Sequence, residues 1–152
     1  MRFLAAATFF WLGLTQPLPA QSPAAIEKAA AKFVPGVTWQ IHSIVSGNFT
    51  CRGRKEEAIL GVSTSEIVLA VFINGLTSPP EVLRYSAKAR DPKSAELTIE
   101  DMDYDPKQDI GYEPDGFQPS KSCKGLNLAD GLTDSAHIYW NRKMHRFDDW
   151  TL

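Results

Sequence analysis

The stretch from Cys123 to Leu152 reads CKGLNLADGLTDSAHIYWNRKMHRFDDWTL, and we expect the rest of the fold to be organised around it. It contains one of the two cysteines, a loop rich in glycine and aspartate, and the densest group of aromatic residues in the sequence. We interpret residues 136–140 and 144–150 as two strands, which residues 141–143 join. The chain is therefore predicted to end in an antiparallel hairpin.

The first strand of this hairpin presents two different faces. Side chains alternate across a strand, so Ile138 and Trp140 are expected to point inward while His137 and Tyr139 point outward. Tyr139 and His137 are therefore candidate binding residues on an exposed aromatic surface for a protein or glycan. The alternative is that the aromatic residues of the hairpin serve core and cross-strand packing.

The segment 125–138 shares a pattern of glycine and acidic residues with the upstream segment 47–60. In each segment two glycines are six positions apart, and an acidic residue follows the second glycine by three. Both segments are predicted to form a tight glycine loop that leads into a strand, with the second glycine at positive φ. The residues that form this shared pattern are Gly47, Gly53 and Glu56 in the first segment, and Gly125, Gly131 and Asp134 in the second.

These two segments resemble FG-GAP/VCBS repeats, whose pattern is Gly-Asp-Phe-Asn-Gly-Asp-Gly-x-x-Asp followed by a strand. The resemblance implies calcium on acidic loop positions and strands arranged as β-propeller blades, with Asp130 and Asp134 as the candidate metal ligands. Leu126 and Leu128 stand where that family has ligands, so we expect neither a metal nor another cofactor. The matching positions are Gly47, Phe49, Gly53 and Glu56 in the first segment, and Gly125, Asp130, Gly131 and Asp134 in the second.

The N-terminus has the pattern of a secretory signal peptide. Arg2 precedes a nearly continuous apolar run over 3–14, and Leu18-Pro19-Ala20 provides a small residue before the expected cleavage site. The run is shorter than the ~20 residues that span a bilayer, so no membrane span is expected in the mature chain. We predict a signal peptide at 1–20 and a single secreted β-rich domain at 21–152.

Cys51 and Cys123 are the only cysteines in the sequence. An exported chain meets an oxidising compartment, where cysteines pair. We therefore predict a Cys51–Cys123 disulfide, the alternative being two free thiols.

The rest of the chain predicts a mainly β fold, an antiparallel sheet or sandwich with one short N-terminal helix. Ser22-Pro23 favours a helix start and Pro35-Gly36 its end. Residues 67–73, IVLAVFI, form an apolar run rich in β-branched residues, which is typical of a central strand covered on both faces. Further strands are predicted at 37–43, 82–85 and 95–100, and a long surface excursion at 104–121.

Charge and motif content restrict the function. The net charge is −2 and no basic run is present, which argues against nucleic acid or an anionic membrane as the main partner. No nucleophile-elbow motif accompanies Asp134, Ser135 and His137. We expect a secreted or periplasmic non-catalytic binding protein, an envelope-associated binder or inhibitor of another protein. The alternative is a small secreted hydrolase using His137 with carboxylates of residues 101–105.

Overall fold

A computed structural model describes residues 21–152, so the prediction of a signal peptide at 1–20 lies outside the described residues. The chain forms two antiparallel sheets, and the predicted fold class is confirmed. The elements, in chain order, are α1 Pro23–Phe33, β1 Thr38–Trp39, a 3₁₀ turn Ile41–Ser43, β2 Val45–Gly47, β3 Glu56–Val62, β4 Glu66–Phe72, β5 Glu81–Ser86, β6 Glu96–Met102, α2 Lys107–Ile110, β7 Ser120–Ala129, β8 Ala136–Asn141 and β9 Arg146–Trp150.

The N-terminal helix begins where the sequence predicts. The Ser22 hydroxyl accepts a hydrogen bond from the Ala25 N–H at 3.3 Å, and Pro23 occupies the first turn, where its missing N–H costs nothing. Ile26, Ala29 and Ala30 form its buried stripe. Between residues 21 and 152, no helix has the length and apolar character needed to cross a bilayer.

The first sheet has the order β1-β3-β4-β5, with β2 also paired to β3. The prediction that residues 67–73 form a central strand is confirmed, because β4 lies between β3 and β5. Ile67, Leu69 and Val71 face the second sheet, whereas Val68 and Phe72 pack with the α1 cluster. After Glu66 the strand is apolar at every position, because it has apolar neighbours on both faces.

The second sheet is a meander of order β6-β7-β8-β9. The main core lies between the two sheets, where side chains from alternate strand positions interdigitate. Its buried members are Phe49, Ala58, Leu60, Ile67, Leu69, Val71, Leu97, Leu126, Leu128, Ala136, Ile138 and Phe147.

The outer face of the second sheet is also covered. Phe117, which lies in the predicted surface excursion, packs there with Met102, Cys123, Tyr139 and Trp150 in a separate buried cluster. The segment 104–121 therefore helps to form a second, smaller core, and it covers the outward face of β8.

The strand predicted at 37–43 is wrong beyond Trp39, because residues 41–43 form a 3₁₀ turn. The hydroxyl of Ser43 donates to the Gln40 carbonyl at 2.7 Å and accepts from the Leu60 N–H at 2.9 Å. A serine side chain that competes for backbone groups in this way favours turns over regular pairing.

The two glycine segments are only partly alike. Gly53 and Gly131 both have φ +72°, which confirms the predicted left-handed positions. Gly47 and Gly125, however, lie in β2 and β7 rather than in loops, so that part of the prediction is wrong for both segments. Gly125 shows the reason most clearly. A Cβ at this position would lie 2.9 Å from the Ile138 carbonyl oxygen and would collide with Met102, so close strand packing requires the glycine.

Candidate functional site

The predicted Cys51–Cys123 disulfide is present and joins the β2–β3 loop to β7, with 4.8 Å between the two Cα atoms. Two hydrogen bonds reinforce this link. The Lys124 N–H donates to the Asn48 carbonyl at 3.1 Å, and Asn48 Nδ2 donates to the Ser122 carbonyl at 2.9 Å. The loop is therefore fixed to the second sheet although it emerges from the first.

A buried carboxylate organises the same loop from within. Glu56 is 2% exposed, and its Oε2 accepts the Thr50 N–H at 2.7 Å. Arg52 and Arg54 approach its Oε1 to 3.6 and 3.4 Å. Glu56, the acidic residue of the first glycine segment, thus stabilises the loop through hydrogen bonds and ion pairs.

The β8–β9 hairpin is fixed by Asn141, which is 1% exposed. Its Oδ1 accepts the N–H groups of Lys143 and Met144, each at 3.0 Å, and its Nδ2 donates to the Asp115 carbonyl at 2.9 Å. Sequence reasoning missed this residue. The available signal was an asparagine at the start of a short connection, where its side chain commonly bonds to the following backbone.

The two fixed loops meet around a cleft of about 340 Å³. Sequence reasoning did not find it, because its residues come from distant parts of the chain. The disulfide brings the β2–β3 loop beside the second sheet, and the hairpin supplies the opposite wall. The residues lining this cleft are Thr50, Cys51, Arg52, Trp140, Arg142 and His145.

Two arginines give the cleft its charge. Arg52 Nε donates to Thr50 Oγ1 at 2.8 Å, and its Cζ lies 5.9 Å from the centre of the Trp140 ring. Arg142 instead uses neutral acceptors, with Nη1 donating to Gln118 Oε1 at 2.6 Å and Nη2 to Cys123 Sγ at 3.5 Å. Within residues 21–152, Arg142 has no carboxylate within ion-pairing distance.

Tyr139 does not lie on an exposed surface, and the expectation that it faces solvent is wrong. It is 3% exposed, its hydroxyl donates to the Asp115 carbonyl at 2.9 Å, and its ring packs edge-on to Phe117 at 5.4 Å. Burial, with a further contribution from the Asp148 and Asp115 charges, raises the pKa of Tyr139 above its ordinary value. The outward orientation was predicted correctly, but the excursion covers this face.

His137 is half-buried and is not free on the surface. Its Nδ1 lies 2.7 Å from Glu100 Oε1, and its ring stacks on Trp150 with centroids 3.9 Å apart. The carboxylate that meets His137 is therefore Glu100, which precedes the predicted acidic segment. Asp101, on the next position of β6, forms an ion pair with Lys124 instead.

Asp130 and Asp134 have different environments. Asp130 is 1% exposed; its Oδ1 accepts the N–H groups of Leu132 and Thr133 at 3.0 Å, and its Oδ2 accepts that of Asp91 at 3.1 Å. Burial alone would raise the pKa of Asp130, but these hydrogen bonds outweigh it and lower the pKa. Asp134 is exposed. Among residues 21–152, no group of three acidic, histidine or cysteine side chains is arranged to hold a metal ion.

Two other pockets have fewer side chains that are free to bind a ligand. One of about 270 Å³ is lined by Arg54 and Asn74, but this arginine already bonds to Asn74 Oδ1 at 3.1 Å and to the Ile73 carbonyl. A more open groove of about 500 Å³ runs past Val62 and Lys93, where the lining provides a single charged side chain. The cleft between the two loops is the better candidate because it combines the half-buried ring of Trp140 with Arg142, which has no carboxylate partner among residues 21–152.

No protein-family model, curated protein or solved structure matches this chain. The two-sheet fold leaves the function open, because sandwiches of this kind carry many unrelated activities. The resemblance of the two glycine segments to FG-GAP/VCBS repeats stays a prediction. The function has to be inferred from the chemistry of the residues that line the cleft.

Proposed function

We propose that the protein is a secreted or periplasmic non-catalytic binding protein, which binds or inhibits another protein through the cleft between the β2–β3 loop and the β8–β9 hairpin. One observation carries this proposal: Arg52, Trp140 and Arg142 meet in one cleft. Tryptophan and arginine are enriched among the residues that dominate the energy of protein interfaces.

The rigidity of both walls supports a binding role. The Cys51–Cys123 bond holds one loop, and the Asn141 side chain holds the other. Loops that are already in their bound geometry lose little conformational entropy when a partner docks, so more of the contact energy appears as affinity. A binding site of this kind needs no assembled catalytic group.

Export is part of the same proposal. A disulfide between the β2–β3 loop and β7 is compatible with an oxidising compartment outside the cytoplasm. The apolar run at 3–14, preceded by Arg2, supports delivery to such a compartment.

The test is quantitative affinity capture from the native secreted and envelope fractions. The bait is the disulfide-intact full chain, compared with the double variant Arg52→Gln/Arg142→Gln and the control Lys88→Gln/Lys93→Gln, which removes two exposed charges elsewhere. We expect one partner to be enriched by wild type and control and lost from the cleft variant. Equal recovery by all three baits, or no enrichment by any of them, would contradict the proposal.

A small secreted hydrolase is the second candidate, and the 2.7 Å contact between His137 Nδ1 and Glu100 Oε1 favours it. A histidine oriented by a carboxylate is one part of a nucleophilic site. Peptide or ester hydrolysis lost in both His137→Gln and Glu100→Gln, and retained in Arg142→Gln, would favour this candidate over the binder.

A further inference from the structure

We infer that the cleft recognises a carboxylate on its protein partner, with Arg142 as the main cation and Trp140 in contact with the apolar group beside that carboxylate. The inference rests on the proposed function and specifies the chemistry of the same site. The carboxylate can be an aspartate or glutamate side chain, or a free chain terminus, since both present the same two oxygens.

Arg142 is positioned as a receptor for an acid. Its guanidinium is held on one side by Gln118 Oε1 and on another by Cys123 Sγ, both of which are uncharged. A guanidinium has five N–H donors in a planar fork, and these two contacts leave donors for a planar two-oxygen acceptor. The side chain is half-buried, so its charge is partly desolvated and a matching anion gains more than it would at an open surface.

Arg52, on the other wall, contributes less to anion binding than Arg142, because it is already paired with a carboxylate. It lies 3.6 Å from the buried carboxylate of Glu56, which also contacts Arg54. The negative charge behind Arg52 reduces the positive potential on that wall. Arg142, which has no such carboxylate beside it among residues 21–152, is therefore the stronger cation for an incoming carboxylate.

Trp140 and the size of the cleft define what accompanies the carboxylate. The indole is half-buried and is fixed edge-on against Phe147 with ring centroids 5.2 Å apart. At about 340 Å³ the cleft is near the lower end of typical ligand sites, which run from about 300 to 1,000 Å³. It fits a carboxylate and one neighbouring apolar side chain rather than an extended ligand.

The experiment titrates the disulfide-intact full chain with three matched peptides. The first is N-acetyl-Gly-Phe-Asp-Phe-amide, the second is N-acetyl-Gly-Phe-Asn-Phe with a free terminal carboxylate, and the third is the neutral N-acetyl-Gly-Phe-Asn-Phe-amide. Binding is followed by calorimetry and by the indole N–H signal of Trp140. We expect at least one acidic peptide to bind about tenfold more tightly than the neutral one, and the tighter of the two identifies the source of the carboxylate.

Variants assign the effect to the cleft. Arg142→Gln should abolish the preference for the acidic peptide, and Arg142→Lys should restore only part of it, because the charge returns without the planar fork. The control Lys143→Gln removes one charge from the adjacent position, where Lys143 pairs with Asp115, and should keep the preference. Arg52→Gln is the second cleft variant, and each protein is first shown to melt cooperatively.

Equal affinity for all three peptides, or an unchanged preference in folded Arg142→Gln, would overturn the inference. A partner captured through the cleft together with equal peptide affinities would leave the proposed function standing without the carboxylate. Peptide discrimination without any captured partner would leave the carboxylate site standing and remove the proposed function.

Discussion

Gly125 and Gly131 show at the residue scale how similar sequence patterns arise from different physical needs. Gly131 has φ +72°, a conformation that side chains with a Cβ disfavour, and no described atom lies within 4 Å of its Cβ position. Gly125 has an extended backbone, but the Ile138 carbonyl oxygen and Met102 occupy the space that a Cβ would need. One glycine is required by its own conformation and the other by its neighbours.

Alanine substitutions should separate these two causes. Gly131→Ala should cost about 1 kcal/mol, from backbone strain in an otherwise open loop. Gly125→Ala should cost more, about 1–3 kcal/mol, because the added methyl group meets backbone that cannot move aside easily. Urea unfolding of the two variants checks this order, and a smaller loss for Gly125→Ala than for Gly131→Ala would contradict it.

Asp130 should stabilise the fold through its ionised carboxylate. Asp130→Asn is expected to cost about 1–3 kcal/mol at neutral pH, since the amide replaces an oxygen acceptor that carries charge and is buried. The folded-state pKa is lowered, so this contribution is present above the ordinary value of 3.8 and is lost as pH falls through the lower folded value. Denaturation at several acidic pH values should show the difference between the two proteins shrinking.

The same pair of proteins tests the calcium ligand implied by the family resemblance. The Asp130 oxygens already accept hydrogen bonds from Leu132, Thr133 and Asp91, so calcium is expected to leave the melting temperature unchanged. A calcium-dependent rise in wild type that Asp130→Asn loses would instead support the resemblance.

Glu81 should have the opposite dependence on pH. Burial raises its pKa, and the hydrogen bond from the Phe147 N–H at 2.6 Å and the Arg146 charge offset this only in part. A raised folded-state pKa means that the contribution to stability is full below the ordinary value of 4.5 and is lost as pH rises through the folded value. Glu81→Gln keeps an acceptor oxygen, so its stability relative to wild type should increase as pH rises from about 4 to 8. Parallel denaturation curves would show no such linkage.

Among the helices and strands, the sequence predicts secondary structure best where the local pattern of residues agrees with the burial of the element in the fold. The α1 helix has both a cap at Ser22 and an apolar stripe, and residues 67–73 are apolar at every position because both faces of β4 are covered. The pattern fails at residues 41–43, where the Ser43 hydroxyl bonds to the backbone, and at Tyr139, which a distant segment covers. The cleft could not be predicted, since Arg52 and Arg142 meet only through the disulfide and the fixed hairpin.

The Cys51–Cys123 disulfide should stabilise the fold and hold the cleft. The cysteines are 72 positions apart, so the bond removes chain entropy from the unfolded state worth about 4 kcal/mol in the loop-closure model. Cys51→Ser/Cys123→Ser should lower the free energy of unfolding by a similar amount and should increase amide hydrogen exchange in residues 48–55. A mutant with wild-type exchange in this loop would show that the Glu56 and Asn48 contacts hold it without the bond.

At the scale of the whole molecule, the position of the cleft follows from how the sheets are covered. The α1 helix packs on the outer face of the first sheet, and the segment containing Phe117 packs on the outer face of the second. Both broad faces are therefore occupied by the chain itself. Loops at the end of the sandwich remain for recognition, as is common where a rigid scaffold presents its binding residues.

Site-specific photocrosslinking in the native secreted or envelope fraction can show directly whether a partner docks in this cleft. A photoreactive residue replaces His145, which lines the cleft, or Lys28, which is exposed on α1 across the first sheet. We predict a single adduct from position 145, competed by excess unlabelled wild type and not by Arg52→Gln/Arg142→Gln, and none from position 28. An adduct from position 28 alone, or equal adducts from both positions, would contradict docking in the cleft.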